Sequence, residues 1–460
     1  MNLKNMRIAF VDLNESIKFG EISSNLYLAS YLLEKINKKV EIKLYSSFEK
    51  FRKYGGHYDL ICFSVNGLNL QKLPKKIKEE IKQIKSIKII GGPGPTIIPQ
   101  PCLEFCDIVV IGEGEIPLKK IVKLMIKKEI VKTEELLNCP ELKKIENILY
   151  QVDGKIILTP KKNYDKIDFV SRKFDLITDL EEHIKNWPYM DYFPKRRGIS
   201  IITSRSCGFN CSFCQPTLKK IFGEKIKYIP IEIIKKELIE LNQKYKIDAF
   251  MAHDDNLTAN YSHLRNFCNM LNELKREGIE FKWICNSRCD TIDEEKIKLL
   301  AKANCVEIRY GIETWNENIR SNFLNKKISN KKVYDTIKLT KNHNILCFGF
   351  FMLGYPNLKI KDVLNEIITT ANSDLDLATF SVLTPLPGTE LGIRYNVDSF
   401  ENYYLGNSKV ISNINPFVIE LLKKFAFLAF YFHPTRLKRS LLELISGKNL
   451  KYKIRRFFFY

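Results

Sequence analysis

Short apolar runs alternate with helix-period stretches through the first part of the chain. Met6-Arg-Ile-Ala-Phe-Val11 reads as a buried strand, Val40–Tyr45 alternates as a second, and Tyr58–Ser64, Ile87–Ile90 and Asp107–Ile111 follow. Helical patterns over Ser24 to Ile36 and Pro74 to Ile84 lie between them, the latter with Ile77, Ile81 and Ile84 on one face. This alternation predicts a parallel, doubly wound, Rossmann-like sheet over residues 1–125. Glycine-rich turns, Gly91-Gly-Pro-Gly94 and Gly112-Glu-Gly-Glu115, fall at strand ends, where such sheets bind ligands.

Residues 126–195 read as a connector with a small hairpin turning at Asp153-Gly154 and an extended, aromatic stretch, Trp187 to Pro194. Over 196–395 the strand pattern resumes. Ile199–Thr203, Asp248–Ala252, Phe281–Cys285, Val306–Tyr310, Ile345–Leu353 and Leu377–Val382 each end in a polar or glycine-rich turn. After Phe222-Gly223 a helix is predicted from Pro230 to Tyr245. Six strand–helix units predict a partial (β/α)6 TIM barrel with its site at the carboxyl strand ends. Residues 396–460 predict helices over Phe417 to Phe432 and Arg436 to Ile445, before Arg455-Arg-Phe-Phe-Phe-Tyr460. That region suits a helical cap on the barrel mouth. It also suits a foot on a membrane, with basic residues on headgroups and aromatics at the interface.

The 460 residues are 45% apolar, as expected of a globular chain of several domains. The start lacks a signal core, and no apolar run approaches a membrane span, so a cytoplasmic chain with reduced thiols is expected. A formal charge of +21 raises nucleic-acid binding. The lysines are spread over the whole chain, without the compact basic and aromatic patch of single-strand binders, which disfavours that class.

Candidate chemistry concentrates in Cys207-Gly-Phe-Asn-Cys211-Ser-Phe-Cys214, on a loop just past a strand. Such a loop can bend three thiolates around one inorganic centre. An iron–sulfur cube has four irons, so three cysteines leave one iron open to chemistry. Structural zinc would need a fourth ligand, usually in paired Cys-x-x-Cys units, and no second pair follows.

CxxxCxxC with Phe213 before the last cysteine is the signature of radical S-adenosylmethionine (SAM) enzymes, and residues 199 to 389 resemble that family in order. The resemblance implies a [4Fe-4S] cluster on Cys207, Cys211 and Cys214, SAM chelated to its open iron, and cleavage of SAM to a 5′-deoxyadenosyl radical. It places Asp254 and Asp255 beside the SAM amino group, and Ser287 and Arg288 near ribose and carboxylate. Glu313 ends the Gly-Ile-Glu strand, and Gly349 lies on the strand abutting adenine. Pro385-Leu-Pro-Gly388-Thr389 resembles the closing Pro-x-Pro-Gly-Thr; the loop after Gly354-Tyr-Pro356 departs from the family pattern.

The first domain is similar to the cobalamin-binding domain of class B radical SAM proteins. That implies cobalamin contacts at Ser64, Gly91, Gly92, Gly112, Glu113 and Gly114. One departure is clear. Where cobalamin mutases and some methyltransferases carry Asp-x-His-x-x-Gly, this chain reads Asp12-Leu-Asn14-Glu-Ser-Ile17, and His57 lies in a different loop. Much of the cobalamin-type radical SAM family also lacks that histidine. The implied activity is cobalamin-dependent methylation of an unactivated carbon in a small-molecule or lipid substrate, with flavodoxin or ferredoxin as electron donor. Alternatives are radical cyclisation, oxidation or C–C coupling without methyl transfer, or a tRNA methylthiotransferase-like enzyme with a second cluster on Cys102, Cys106 and Cys139.

Overall fold

β-Branched and aromatic residues fill the strand interiors, and burial on both faces of the sheet makes these runs strands. The computed structural model describes residues 5–14, 23–36, 40–189, 193, 195–214, 219, 223–399 and 411–437. Outside them lie Glu15–Ile17, Met190–Tyr192, Pro194, Phe222, most of the second expected C-terminal helix and the closing Arg455–Tyr460 run. The chain divides into two compact units: Met1–Pro188 with Arg205–Cys207 and Pro216–Leu238, and Tyr189–Ser204 with Gly208–Gln215 and Ile239–Tyr460.

In the first unit β1 (Met6–Asp12), β2 (Val40–Tyr45), β3 (Leu60–Ser64), β4 (Ile87–Gly91) and β5 (Ile108–Val110) pair in parallel in the order β2-β1-β3-β4-β5. This flavodoxin-like order reverses between β1 and β3, which opens a crevice at their carboxyl ends. Asp12, Ser64 and Gly91 share one register row at that edge. The expected hairpin, β6 (Ile148–Val152) and β7 (Lys155–Leu158), extends the same sheet in antiparallel fashion beyond β5. It turns at Asp153 and Gly154, at φ 48° and 74°. Residues 170–173 of the expected connector are held by specific contacts. Val170 N–H donates to Tyr27 Oη (3.1 Å), Lys173 N–H to Ser30 Oγ (2.8 Å), and Arg172 forms a buried pair with Glu237 at 2.6 Å.

After β8 (Gly198–Ile201) come two-residue strands, β9 (Ser204–Arg205) and β10 (Lys227–Tyr228). The second unit then runs through β11 (Ala249–Ala252), β12 (Lys282–Ser287), β13 (Cys305–Glu313), β14 (Leu346–Leu353) and β15 (Leu377–Val382). Its six-stranded sheet is wholly parallel and in sequential order from β8 through β11 to β15. One face is covered by helices. Phe250 meets Phe267, Tyr310 Oη bonds Thr340 Oγ1, and Phe380 meets Phe430. Alternation along each strand turns the opposite face toward the lumen of the winding sheet. That face carries Asn286, Arg309 and Phe348 in one row, with Ser200, Met251, Ile284 and Glu307 below, and His253 follows directly after β11.

Among the described residues, helix Pro416–Tyr431 belongs to the covering layer, where the sequence suggested a cap on the barrel mouth. Tyr431 Oη donates to the Ala378 carbonyl (2.8 Å), and Phe430 packs on Phe380. Among the described residues no helix is long and apolar enough to cross a membrane.

Candidate active site

Thiol accessibility separates the motif cysteines from the rest. Cys207 and Cys211 are half-buried and Cys214 is exposed, whereas the other nine cysteines are buried. Burial pushes the Cys102 and Cys289 thiols up to about 12. The Cys102, Cys106 and Cys139 set weighed for a second cluster is buried throughout. In the second unit the loop is pinned by Ser212, whose N–H donates to Leu324 O (3.0 Å) and whose Oγ donates to Phe323 O (2.7 Å). The aromatic ring of Phe213 packs against Leu324, Tyr355, Leu383 and Leu391. Among the described residues no trio of metal-ligating side chains converges on a single ion. A cube takes each thiolate on a different iron, so the donor set of three reachable thiols on one loop still fits it.

The strand-end residues fall into two groups. Asp254 is buried and accepts from Thr203 N–H (3.1 Å), Thr203 Oγ1 (3.0 Å) and Ser204 Oγ. It ties the end of β11 to the end of β8. Asp255 keeps its contact with solvent. Its dense surroundings push the carboxyl up to about 6, with the Asp254 carboxylate adding to the rise and His253 opposing it. Asp255 is therefore the member of the pair that remains exposed. Ser287 is buried and shares a 2.6 Å hydrogen bond with Thr258 Oγ1. Arg288 reaches the cysteine loop, with Nη1 3.2 Å from Cys211 Sγ. Glu313 is buried against Lys326 at 2.8 Å.

Gly349 corrects an expectation. It lies on the helix-facing side of β14, where an added Cβ would come within 2.8 Å of Leu375 and Phe351. Its glycine is required by packing in the outer layer, and the lumen side of β14 is lined by Phe348 and Phe350. The sequence reading also passed over the lumen's own polar row. Arg309 binds Glu307 at 2.6 Å and lies 4.7 Å over the Tyr189 ring, whose Oη is 3.4 Å from His253 Nε2. The available signal was polar Glu307 and Arg309 at alternate positions of an otherwise apolar strand.

The Radical SAM superfamily profile matches residues 201–367, which contain the cysteine loop and most of these strand ends. The chain carries a radical SAM domain. The chain resembles other proteins well beyond the matched domain. It is 28% identical over 390 residues to an uncharacterized methyltransferase of Pyrococcus horikoshii, covering 81% of this chain and 77% of that protein. It is 23% identical over 338 residues to cytidylyl-2-hydroxyethylphosphonate methyltransferase of Streptomyces wedmorensis, covering 67% of this chain and 60% of that one. The fold matches the radical SAM methyltransferase TsrM of Kitasatospora setae, solved with cobalamin and a [4Fe-4S] cluster. The match has a TM-score of 0.66 at 16% identity and covers 85% of this chain and 77% of TsrM.

The first unit assigns different tasks to its strand-end residues. Gly92 (φ 103°) and Gly112 (φ 81°) adopt backbone conformations that favour glycine. A Cβ on Gly92 would lie 2.8 Å from Val65 O, and one on Gly114 would lie 3.3 Å from Leu28. Gly91 is different, because a Cβ there would meet only Val110, at an ordinary 3.6 Å. Ser64 is buried, and its carbonyl accepts from Leu13 N–H (2.9 Å).

Glu113 was expected at a cofactor but is an internal ion-pair partner. It is buried with Lys227 Nζ at 2.5 Å and Arg205 at 3.6 Å, and Arg205 also binds Glu115 at 2.5 Å. Burial pushes the Glu113 carboxyl up to about 7 despite the two cations. Sequence reasoning missed this network because Arg205 and Lys227 lie far downstream. Asn14 stands where the Asp-x-His-x-x-Gly pattern would put its histidine. Its Nδ2 donates to Asp12 Oδ1 (2.6 Å), and its Oδ1 accepts from Asn66 N–H (2.8 Å) and Asn69 Nδ2 (3.2 Å).

Proposed function

We propose that this enzyme methylates an unactivated carbon of a small-molecule or lipid substrate, using a [4Fe-4S] cluster, SAM and cobalamin. The observation that carries the reading is the extent of the similarity. Relatives named as methyltransferases, and a fold solved with cobalamin and a cluster, align across most of the chain and not only over residues 201–367.

Cys207, Cys211 and Cys214 would hold the cluster, because they are the accessible thiols. When bound, the cluster and SAM supply a carbon-centred radical and cobalamin supplies the methyl group. Asp255, at the rim, is the carboxylate available to SAM's ammonium, while Asp254, Ser287 and the Glu313–Lys326 pair shape the strand ends around it. His253, Asn286 and Arg309, with Tyr189 against Arg309 and His253, would orient a polar substrate. Cobalamin would lie along the edge formed by Asp12, Ser64 and Gly91, without a histidine from the first loop, since Asn14 is committed to internal hydrogen bonds. A flavodoxin or ferredoxin would supply the electron. Peripheral contact with a membrane would use the outward stripe of helix Pro416–Tyr431, where Phe417, Leu421, Phe425 and Leu428 are exposed.

The test is anaerobic reconstitution with iron, sulfide and hydroxocobalamin, desalting, a spectrum, and then assay of 5′-deoxyadenosine after SAM and reductant. Retained cobalamin with deoxyadenosine supports methyl transfer. Deoxyadenosine without cobalamin moves the reading to radical cyclisation, oxidation or coupling. Absence of the cluster, cobalamin and deoxyadenosine together overturns it.

A further inference from the structure

We propose that Arg288 is a positioning and tuning residue of the cluster loop. Its Nη1 hydrogen bond to the Cys211 sulfur raises the reduction potential of the centre the three thiolates hold. This rests on the cluster assignment made above.

One guanidinium makes three kinds of contact within the second unit. Asp290 grips it from one side in a fork, with Nε–Oδ1 2.9 Å and Nη2–Oδ2 2.7 Å. Its flat face lies 3.7 Å from the ring centroid of Phe209, the residue midway between the first two cysteines. Nη1 then points at Cys211 Sγ from 3.2 Å. Arg288 follows β12 directly, so it is anchored to the sheet and not to the loop. The stack on Phe209 and the bond to Cys211 therefore template a loop that must wrap a cluster.

The resemblance to the family placed Arg288 at the SAM carboxylate. Here three of its five donors are engaged by Asp290 and sulfur. The electrostatic consequence has a definite sign. Reduction adds an electron to a centre already made negative by thiolates. A guanidinium stays charged at all working pH and stabilises the reduced form more than the oxidised form. Asp290 offsets part of that charge while fixing its direction.

The experiment is an EPR-monitored redox titration of the anaerobically reconstituted full-length enzyme, with iron and sulfide content measured in parallel. R288Q is expected to take up wild-type iron and to show a reduced-to-oxidised ratio about tenfold lower at a fixed potential, equivalent to about 59 mV for one electron. R288K keeps a charge but loses the fork and the planar stack, and is expected between the two. Wild-type iron content with an unchanged midpoint in R288Q overturns the proposal. Should R288Q fail to load iron, R288K decides, and an unchanged midpoint there overturns it equally. Failure of the wild-type protein to take up iron overturns the cluster assignment and this inference together, and so is distinguished from a failure of the inference alone.

Discussion

Lys326 Nζ lies 2.8 Å from Glu313 Oε1, both side chains are buried, and Glu313 holds its backbone at φ 70°. A non-glycine residue in that region stores about 1–3 kcal/mol, so the surroundings must over-determine it. Gly311 is part of that constraint, since a Cβ there would come within 2.5 Å of Glu313 Oε1 and 2.7 Å of Lys326 Nζ. Tyr355 Oη adds a bond to the Glu313 carbonyl at 3.1 Å. Lys326→Met is expected to destabilise the second unit by about 3–5 kcal/mol, because it strands a buried carboxylate. The double variant Lys326→Met/Glu313→Gln should recover part of that loss. Urea unfolding checks both, and equal midpoints for Lys326→Met and wild type would contradict the pair's role.

Gly91 and Gly92 should separate ligand binding from folding. Gly92→Ala meets both a positive φ and a 2.8 Å approach to Val65 O, and is expected to destabilise the first unit by about 1–3 kcal/mol. Gly91→Leu starts from ordinary van der Waals contact with Val110, with no positive φ to strain it. It should leave the melting temperature within a few degrees of wild type while reducing the cobalamin retained after desalting at least tenfold. Unchanged retention would remove β4 from the proposed cofactor edge.

Glu113 and His263 impose opposite pH dependences on stability. The Glu113 carboxyl is raised from 4.5 to about 7 by burial, so the folded state keeps a proton that the unfolded chain has released. Its contribution is full below pH 4.5 and is lost as pH rises through 7. Glu113→Gln should flatten that decline, read as a difference in urea midpoint between pH 5 and 7.5. Burial lowers the His263 imidazole from 6.5 to about 4, so its contribution is full above pH 6.5 and lost as pH falls through 4. A slope of the same sign from both sites would contradict this assignment.

Iron uptake should follow thiol exposure. Alanine at Cys207, Cys211 or Cys214 is expected to abolish reconstituted iron absorbance and deoxyadenosine formation. Cys102→Ala and Cys139→Ala should leave the iron content unchanged, because those thiols are buried. Loss of about half the iron in Cys102→Ala would instead restore the second-cluster alternative.

Membrane contact has a direct check in the C-terminal helix. Wild-type protein should co-sediment with anionic phospholipid vesicles. The variant Phe417→Ser/Phe425→Ser should lose most of that binding, since both rings are exposed and neither belongs to the buried face of Ile419, Leu422 and Phe430. No co-sedimentation of the wild type would sink the membrane reading.

Much of this architecture was legible along the chain. Strand and helix periods predicted five parallel strands in the first unit and six in the second, because a buried parallel strand must be nearly continuous in apolar side chains. The cysteine loop was legible for a similar reason: three thiols on one turn form a local donor set that needs no fold to be recognised. Asp12-Leu-Asn14 likewise stated in sequence that the first loop offers no histidine.

What only the tertiary structure decided is which strand-end residues face a ligand and which face protein. Asp254 and Asp255 are adjacent in sequence, yet one is consumed by Thr203 and Ser204 and the other is left at the rim. Gly349 and its neighbours Phe348 and Phe350 differ by a single pleat, which sends the glycine to the helices and the rings to the lumen. Glu113 acquired Arg205 and Lys227, and Arg288 acquired Cys211, across separations no local pattern encodes. Hydrophobic period depends on near neighbours and is written in sequence. The partner of a buried charge depends on where the chain returns, and that is known only once it has folded.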